Sequence, residues 1–431
     1  MKNDSMHPSD RGRRLLPSVV DQLALTDPTR VFVSIPLTSS LQVNPYPYTK
    51  TFEEARQDPF VVLHTSGSTG FPKPVILIHG TVAHHDTFLL LPPPGEARVA
   101  SALFSSKRVF IGLGLFHSAA MCSVAFAIYS NTTLVIPPPV PMTAELANQA
   151  HLHGNLDVSF LSPSILVDIA KNPSYLDNIR RLKHVTYGGG PLPRETGEMI
   201  RAQTHLFVNF GATETGYYPL LLTDPEDWEY MSFSSRMGIE LRPFTGDLYE
   251  LVFIRNAKLS LFQGVFSTFP TLNEYRTKDL FSRHPHKPGL WKFEGRSDDV
   301  IVCSTGQKVN PIGMEGLVNS HPSVVSAIVC GQGRERVSLL VEARNPPRAE
   351  DEGAALIKEL WPLIEKANEK KSRYGRITEK LILFTKVGKP MARAGKGTVL
   401  RKVTEELYKE ELEDMYLAAK DVPMQVGTNS S

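Results

Sequence analysis

The sequence predicts an α/β fold with a large N-terminal domain and a small α+β C-terminal domain. Between residues 60 and 211, short apolar runs alternate with segments of helical periodicity, which is typical of a mostly parallel sheet covered by helices. After Met231 the apolar residues alternate singly with polar ones, which indicates an added antiparallel β region. From about Asp299 strands and helices mix again, which indicates a separate small domain.

The elements of the first region follow one another in a regular order. Strands are expected at 60–63, 75–78, 132–136, 158–161, 184–187 and 205–209. Helices are expected at 81–90, 118–129, 144–151, 164–171 and 194–203. Ligands of such sheets bind at the carboxyl ends of the strands, so the residues that follow each strand are candidates for a site.

The sequence predicts that the chain is divided into four segments. Residues 1–59 are a short N-terminal segment and linker with one helix and one strand between 15 and 33, and residues 60–298 are the large domain. Within that domain, 246–253 and 259–266 are expected to be antiparallel strands. Residues 299–420 form the small domain, with strands at 326–330, 337–342 and 381–384 and helices at 354–370 and 403–419. Residues 421–431 are expected to be a disordered tail.

Composition narrows the class of protein. The 431 residues carry a net charge of +2, so charge gives no argument for a nucleic-acid or membrane partner. The three cysteines (Cys122, Cys303 and Cys330) lack metal-type spacing, and their odd number argues against a disulfide framework. The first 14 residues lack the apolar core of a signal peptide, and the apolar run 119–129 is too short to span a bilayer. We expect a cytoplasmic enzyme.

A nine-residue loop follows the first strand. It reads Thr65, Ser66, Gly67, Ser68, Thr69, Gly70, Phe71, Pro72 and Lys73. Its glycines let the backbone wrap an anion, its hydroxyls donate hydrogen bonds, and its lysine supplies a cation, which together suit a triphosphate. The common nucleotide-loop pattern Gly-x-x-x-x-Gly-Lys-Ser/Thr is absent here. A polar turn between strands is the alternative.

Further motifs lie downstream. They are Phe116-His117; Gly188-Gly189-Gly190; Asn209-Phe210-Gly211-Ala212-Thr213-Glu214; Thr277-Lys278-Asp279; Gly295-Arg296-Ser297-Asp298; and Gly395-Lys396-Gly397. Each has a purely structural alternative: a histidine at a helix start, a tight strand-to-helix turn, a buried phenylalanine beside a surface glutamate, exposed charged turns, or a solvated lysine. The pairs His84-His85 and His151-Leu152-His153 lack partners at ligand spacing and are expected at the surface.

In this order, the strings resemble the signature motifs of the adenylate-forming superfamily, which comprises acyl-CoA synthetases, luciferases and peptide-synthetase adenylation domains. The resemblance covers about residues 50–420. It implies that the loop from Thr65 to Lys73 grips the triphosphate and that His117 helps to gate the acyl pocket and contacts the nucleotide. It also implies a small C-terminal domain that moves between two positions.

The resemblance also implies roles for individual residues. Gly188, Gly189 and Gly190 would lie beside adenine. In the Asn209-to-Glu214 motif, which includes Gly211, Phe210 would stack on adenine, Thr213 would contact the α-phosphate, and Glu214 would hold Mg²⁺. Phenylalanine at 210 replaces the family's usual tyrosine, and Lys278 replaces its usual glycine.

Three more roles follow from the same resemblance. Asp279 would bind the ribose hydroxyls, and Arg296 would reach ribose or phosphate. Asp298 would be the pivot between the two domains. Lys396 would enter the active site during adenylation.

Among such enzymes, the adenylation domains of fungal peptide-synthetase-like carboxylic acid reductases are the most similar in amino-acid sequence over residues 58–70, 291–310 and 395–401. Those proteins carry a longer region before the phosphate loop, so we expect an N-terminal truncation here and exposed apolar surface beside strand 60–64. The sequence contains no Gly-Asp-Ser-Leu carrier motif, and no reductase fingerprint follows Lys396.

The function that the resemblance implies is ATP-dependent activation of a carboxylic acid to an acyl-adenylate, in fungal secondary metabolism. ATP and Mg²⁺ are the expected cofactors, and coenzyme A or a separate phosphopantetheinyl carrier protein would accept the acyl group. Amino-acid-activating relatives usually have an aspartate at the position of His117, so an aryl, keto or alkyl acid is expected. The alternative is an inactive nucleotide-binding remnant that serves only as an interaction partner.

Overall fold

A computed structural model describes residues 10–27, 33–34, 48–65, 73–93, 95–369, 371, 373–393 and 399–420. The described chain divides into two compact units, with the boundary between Phe293 and Glu294. Both units mix helices with sheets, and the first contains a parallel and an antiparallel sheet. This architecture confirms the predicted α/β fold class.

The first unit contains most of the described elements. Its strands are β1 (Val33–Ser34), β2 (Pro59–Thr65), β3 (Lys73–Ile78), β4 (Arg108–Ile111), β5 (Thr133–Val135), β6 (Val158–Leu161), β7 (His184–Tyr187), β8 (His205–Val208), β9 (Gly211–Ala212), β10 (Gly216–Tyr217), β11 (Leu220–Leu221), β12 (Tyr230–Phe233), β13 (Ile239–Thr245), β14 (Leu248–Ile254), β15 (Glu274–Arg283) and β16 (Leu290–Arg296), the last of which crosses the boundary. Its α-helices are α1 (Leu16–Thr26), α2 (Phe52–Ala55), α3 (His79–Ala83), α4 (Ser118–Ser130), α5 (Ala144–His153), α6 (Pro163–Ala170), α7 (Pro173–Asn178), α8 (Arg194–Arg201) and α9 (Val265–Thr268). Short 3-10 helices cover His84–Leu90, Ala100–Leu103, Ile179–Arg181, Pro225–Asp227, Ser235–Met237 and Ala257–Phe262.

A parallel sheet forms the centre of the first unit. Its described strands run in the order β1-β5-β4-β6-β7-β8, and every neighbouring pair is parallel. Along β4, Val109 and Ile111 pack with α4, whereas Phe110 packs in the core that α6 and α8 share. Because helices cover both faces, the strands are mainly apolar, and all four residues of β6, including Ser159, are buried.

The strands β2 and β3 pair with each other in an antiparallel hairpin outside the described parallel sheet. Leu63, Val75 and Leu77 face a small buried cluster. Val62 and Ile76 lie opposite each other on the other face and remain 49% and 52% exposed. The expected exposed apolar surface beside this strand is therefore present.

The antiparallel sheet has the order β11-β12-β16-β15-β14-β13 among the described strands. The prediction of a further strand at 259–266 is wrong, because this stretch forms a 3-10 helix and α9. The buried Gln263 side chain accepts from the Asn256 amide and donates to the Met237 and Ile254 carbonyls at 3.1 and 2.7 Å. These hydrogen bonds join the segment after β14 to the 3-10 helix Ser235–Met237, beside which residues 257–262 and 265–268 are helical.

The segment before α1 is tied to the 3-10 helix His84–Leu90 by a buried carboxylate. Asp86 is fully buried and accepts hydrogen bonds from the Gly12 amide and from the guanidinium groups of Arg11 and Arg14. A buried carboxylate is stable only when it is paired in this way. Residues 10–14 are therefore an integral part of the first unit.

The second unit has its own small sheet and core. Its elements are β17 (Ile301–Val302), β18 (Lys308–Val309), α10 (Ile312–Asn319), β19 (Val324–Cys330), β20 (Ser338–Ala343), α11 (Glu350–Asn368), β21 (Ile382–Phe384), α12 (Arg401–Leu407) and α13 (Lys409–Lys420), with 3-10 helices at Arg373–Gly375 and Glu379–Leu381. The strands β19, β20 and β21 form one sheet, in which β20 and β21 are parallel.

The single helix predicted at 403–419 is two helices, because Tyr408 interrupts it. This side chain is fully buried, and its hydroxyl donates to the Lys389 carbonyl and accepts from the Lys386 amide. The predicted tail, 421–431, lies outside the described residues. None of the described helices combines the length and apolar character that crossing a membrane requires.

The prediction of surface histidines is wrong for three of the four residues. His84, His85 and His151 are 2–3% exposed, and only His153 is exposed. The His151 Nε2 atom lies 3.0 Å from the Ser159 hydroxyl, and its Nδ1 atom has no partner among the described residues. Burial lowers the pKa of His151 to about 4.

The free energy of unfolding should therefore decrease at acidic pH, and His151 should account for part of this decrease. Its unfolded pKa is about 6.5, so between that pH and about 4 the unfolded chain binds more protons than the folded chain, and the free energy of unfolding decreases as the pH falls. We expect His151→Gln to reduce the loss between pH 7.5 and pH 5 by about 2 kcal/mol in urea titrations. His153→Gln, on the same helix but exposed, is the control and should retain the wild-type loss.

Candidate nucleotide-binding site

Two of the predicted motifs meet at the carboxyl edge of the parallel sheet. Gly188 follows β7 and Asn209 follows β8, and the Asn209 amide donates to the Tyr187 carbonyl at 2.7 Å. A Cβ atom at Gly188 would lie 2.5 Å from the Asn209 carbonyl oxygen and 3.3 Å from the Phe160 ring. Only glycine allows this approach, so the loop 188–190 lies directly beside the loop that begins at Asn209.

The hairpin of β9 and β10 presents Thr213 and Glu214 at its turn. Gly211 is required here, because its Cβ would lie 2.2 Å from the Gly216 carbonyl oxygen. The buried Thr215 hydroxyl accepts from the Ala212 amide at 3.2 Å and so braces the turn. The Thr213 hydroxyl donates to that of Ser118, the first residue of α4, at 3.3 Å.

The buried side chain of His85 contacts this hairpin, a role that the sequence analysis did not predict. Its Nδ1 lies 3.0 Å from the Val82 carbonyl oxygen, and the Tyr217 amide donates to its Nε2 at 3.4 Å. A neutral ring protonated on Nδ1 satisfies both contacts. Burial lowers the pKa of His85 well below its usual value, which keeps the ring neutral. The adjacent histidines are the feature of the sequence that points to this position, but their lack of partners at ligand spacing predicts surface residues.

Phe210 packs in an aromatic cluster. Its ring centroid lies 5.4 Å from that of Tyr218, 5.6 Å from that of Phe281 and 5.0 Å from that of Phe293, all at steep angles. These contacts fix the orientation of the half-buried ring. Stacking on adenine stays a prediction.

His117 caps the start of α4 from the loop after β4. Its ring lies 4.7 Å from that of Phe116, which is 75% exposed. The Met121 amide donates to the His117 carbonyl at 3.1 Å, within the first turn of the helix. Because Ser118 is the next residue, His117 lies one position from the contact with Thr213.

A bulge in β15 positions Asp279. Val252 of β14 pairs with Arg276 of β15, and Glu250 pairs with Leu280. One residue of β14, Leu251, therefore lies opposite three residues of β15, 277–279. The Thr277 hydroxyl donates to the Leu251 carbonyl at 2.9 Å and accepts from the Asp279 amide at 3.0 Å, which closes the bulge. Bulges of this kind redirect side chains and are frequent beside active sites. The sequence analysis placed Thr277 in this motif but gave it no role.

Lys278, at the centre of the bulge, has a φ of 66°. This left-handed conformation is strained for a residue with a side chain and favours glycine. The structure thus gives a physical reason for glycine at this position in the resembling family.

Tyr218 lies near both predicted carboxylates of the first unit. Burial raises the pKa of its hydroxyl well above the usual range, and the charges of Asp279 and Glu214 act in the same direction. The Tyr218 amide donates to the Phe210 carbonyl at 2.9 Å, and the Phe210 ring packs against Phe281, which lies two residues beyond Asp279 on β15. The first unit therefore brings together Gly188, Asn209, Thr213, Glu214 and Asp279.

A cavity lies between α4 and the sheet. Its volume is about 30 Å³, room for about two water molecules. The described residues that line it are apolar or neutral, and they include Asn209, Tyr217 and Tyr218. The Ser101 hydroxyl in its wall has no hydrogen-bond partner among the described residues.

In the second unit, two predicted residues pair with each other. The Arg296 Nε atom donates to the Asp298 carboxylate at 3.0 Å, and the Asp299 amide donates to the Arg296 carbonyl at 3.2 Å. Burial raises the pKa of the Asp299 carboxyl group, against the opposing effect of Arg401. The roles of Arg296 in nucleotide binding and of Asp298 as pivot stay predictions.

Several predicted residues lie outside the described residues. They are Ser66, Gly67, Ser68, Thr69, Gly70 and Lys396. The two ends of the first loop are described: Thr65 ends β2 and pairs with Lys73, which begins β3. The chain thus enters and leaves the loop through a hairpin.

The residues present fit ATP and Mg²⁺. Thr213 and Glu214 offer a hydroxyl and a half-buried carboxylate on adjacent residues, and oxygen donors are the ligands that Mg²⁺ prefers. The other acidic group, Asp224, Glu226 and Asp227, surrounds the Lys287 ammonium at 2.9, 3.2 and 2.6 Å. That group already holds a cation, so Glu214 is the better candidate for the metal.

Two protein-family models match the chain. Residues 12–241 match the family of AMP-binding enzymes, and residues 298–420 match the AMP-binding enzyme C-terminal domain. The chain is 36% identical over 380 residues to a carboxylic acid reductase of Neurospora crassa, covering 86% of this chain and 36% of the relative. It is 31% identical to an adenylate-forming reductase of Heterobasidion annosum, covering 84% and 34%. The chain thus spans about a third of the length of these relatives.

Solved structures show the same fold at low sequence identity. An ATP-bound MatB from Rhodopseudomonas palustris superimposes with a TM-score of 0.61 at 16% identity, covering 85% of this chain and 71% of that one. An anthranilate CoA ligase in complex with anthranoyl-AMP gives a TM-score of 0.57 at 16% identity, with coverage of 86% and 70%.

The strain at Lys278 leads to a stability prediction. Lys278→Gly should be about 1 kcal/mol more stable than Lys278→Ala, because glycine adopts the left-handed conformation without steric cost. Both variants remove the charge, so the difference between their free energies of unfolding gives the cost of the left-handed backbone conformation. Urea unfolding of the two proteins measures it, and equal midpoints would show that the bulge is not strained.

Proposed function

Because the chain belongs to the family of AMP-binding enzymes, we propose that it activates a carboxylic acid with ATP. In this reaction a carboxylate oxygen attacks the α-phosphorus, an O–P bond forms, and the bond to pyrophosphate breaks. The product is an acyl-adenylate. The observation that carries the proposal is the convergence of Gly188, Asn209, Thr213, Glu214 and Asp279 in one region of the first unit.

Each residue has a defined task in this reaction. The glycine loop lets the adenine ring approach the backbone closely, and Phe210 offers an aromatic surface beside it. The Asp279 carboxylate accepts hydrogen bonds from the ribose hydroxyls, and the Thr213 hydroxyl donates to the α-phosphate. Mg²⁺, held by Glu214, neutralises phosphate charge when it is bound. The carboxylate substrate is already a nucleophile, so the protein mainly positions the reactants.

Lys396 completes this set as the cation that meets the charge shared by the carboxylate and the α-phosphate. The first unit would then be the adenylation domain, and the second unit the mobile domain that carries Lys396 and pivots at Asp298. After adenylation, the acyl group passes to a thiol of coenzyme A or of a carrier protein.

An aryl, keto or alkyl acid without an ammonium group is the proposed substrate class. His117 stands where amino-acid-activating relatives usually have an aspartate, and a neutral imidazole does not pair with an ammonium group.

The proposal is tested by ATP–pyrophosphate exchange with a panel of aryl, keto, alkyl and amino acids. We expect exchange with at least one acid that has no ammonium group and the lowest rates with free amino acids. Lys396→Ala should lower the exchange rate by about two to three orders of magnitude, the usual cost of a lost charge contact of this kind. Lys402→Ala, at an exposed position six residues away, is the control.

The second half-reaction separates a catalytic lysine from a structural one. When a synthetic acyl-adenylate is supplied with the thiol acceptor, Lys396→Ala should transfer the acyl group at nearly the wild-type rate. Equal losses in both half-reactions would make Lys396 structural. Absence of exchange with every acid would instead favour a nucleotide-binding remnant.

A further inference from the structure

The hairpin that carries Thr213 and Glu214 rests on two buried histidines, His84 and His85, which we call the histidine platform. The centroids of the two imidazole rings lie 4.1 Å apart. A Cβ atom at Gly216 would lie 2.8 Å from the His85 Nε2 atom and 2.9 Å from the His84 Cε1 atom. The backbone of β10 therefore packs directly on both rings, and only glycine fits at this position.

The histidine platform is fixed by the chain just before it. Each Nδ1 atom faces the carbonyl oxygen three residues earlier, at 2.7 Å from His84 to Thr81 and at 3.0 Å from His85 to Val82. Burial lowers the pKa of both rings, so each is neutral, with its proton on Nδ1 and an acceptor at Nε2. The next residue, Asp86, is the buried carboxylate that binds the segment before α1, so the platform is held on both sides.

His85 joins the histidine platform to the hairpin through Tyr217. The Tyr217 amide donates to the His85 Nε2 atom at 3.4 Å, and the two rings meet edge to face with their centroids 6.0 Å apart. The Tyr217 hydroxyl donates to the Ala119 carbonyl of α4 and lies 2.7 Å from the Ser123 hydroxyl. Tyr217 is thus held at its backbone and at its hydroxyl, three residues beyond Glu214.

The hairpin is short enough to transmit a displacement of β10 to its turn. The strands β9 and β10 have two residues each, and only residues 213–215 connect them. Within this connection the Thr215 amide donates to the Ala212 carbonyl at 3.2 Å, and the Thr215 hydroxyl accepts from the Ala212 amide at 3.2 Å. A shift of the backbone at Tyr217 is therefore expected to move the Glu214 carboxylate as well.

We propose that His85 is a positioning residue, which holds the hairpin so that the Glu214 carboxylate is placed to bind Mg²⁺. This inference rests on the proposed function, because it needs Glu214 to hold the metal ion. His85 would act only through the backbone of Tyr217 and would touch neither the nucleotide nor the metal. Supporting groups behind a metal ligand typically change the metal affinity about 10- to 100-fold when they are removed.

Two substitutions separate the hydrogen bonds of His85. The side-chain oxygen of glutamine reaches the position of Nε2, so His85→Gln keeps an acceptor for the Tyr217 amide. The side-chain amide of asparagine reaches only the position of Nδ1, so His85→Asn keeps the donor to Val82 and removes the acceptor. We expect a defect in His85→Asn and a result close to the wild type in His85→Gln.

Calorimetric titration with ATP, once with Mg²⁺ and once with EDTA in its place, measures this defect. The ratio of the two affinities gives the contribution of the metal ion. His85→Asn should lower this ratio about ten-fold and have a much smaller effect on the affinity for ATP in EDTA. His151→Gln is the matched control and should keep the wild-type ratio, because it also removes a buried neutral imidazole, but one that contacts Ser159 of β6.

Hydrogen exchange gives a readout that does not depend on the nucleotide. The Tyr217 amide should exchange faster in His85→Asn than in the wild type, and it should stay protected in His85→Gln and in His151→Gln. If His85→Asn does not fold, His85→Met fills the space of the ring but offers only a weak acceptor, and it should show the same loss.

Glu214→Gln makes the possible failures distinguishable. It should lower the ratio of affinities at least as much as His85→Asn, which should have little further effect in the Glu214→Gln background. An unchanged ratio in Glu214→Gln would contradict the metal-binding role in the proposed function. If Glu214→Gln behaves as expected, an unchanged ratio in His85→Asn, or an equal fall in His85→Gln or His151→Gln, would overturn the positioning role alone.

Discussion

The approach of Gly188 to the Asn209 carbonyl oxygen is the constraint on which the candidate site depends. The parallel register of β7 and β8 ends both strands at the same edge, and the missing Cβ lets the two following loops pack against each other. The same edge carries the β9–β10 hairpin, which His85 supports from the core. The positions of Thr213 and Glu214 therefore depend on these buried contacts, together with the hydrogen bond from the Thr213 hydroxyl to Ser118.

The second unit is organised by buried charge. Glu315 and Glu342 each satisfy an arginine and a backbone amide, so their desolvation is compensated by several hydrogen bonds. Such networks specify one arrangement of the segments they join. In the first unit, the residues with proposed chemical roles lie at the ends of elements that other residues hold in place.

Sequence patterns predicted four strands of the parallel sheet, β5 to β8, because they are short, mainly apolar and largely buried; β6 and β7 have the predicted bounds. The strands expected at 60–63 and 75–78 instead form an antiparallel hairpin outside the described parallel sheet. Periodicity failed at 259–266, where the hydrogen bonds of Gln263 are tertiary and leave no local pattern. The neighbouring motifs of the site were foreseeable from the strand ends. The bulge at Asp279, the buried position of His85 and the glutamate partners of Arg393 and Arg401 were not, because each depends on residues distant in sequence.

The central claim is that a nucleotide binds against the glycine loop at this edge, and Gly190 offers the most direct test. A Cβ there would meet only Pro163, at 4.0 Å, so Gly190→Ala should fold as the wild type does. The added methyl group would occupy space that the adenine ring needs. Calorimetric titration with Mg-ATP should show an affinity at least about ten-fold weaker for Gly190→Ala than for the wild type, whereas Gly313→Ala, a glycine of α10 with open space around it, should bind normally. Equal affinities in all three proteins would contradict the account.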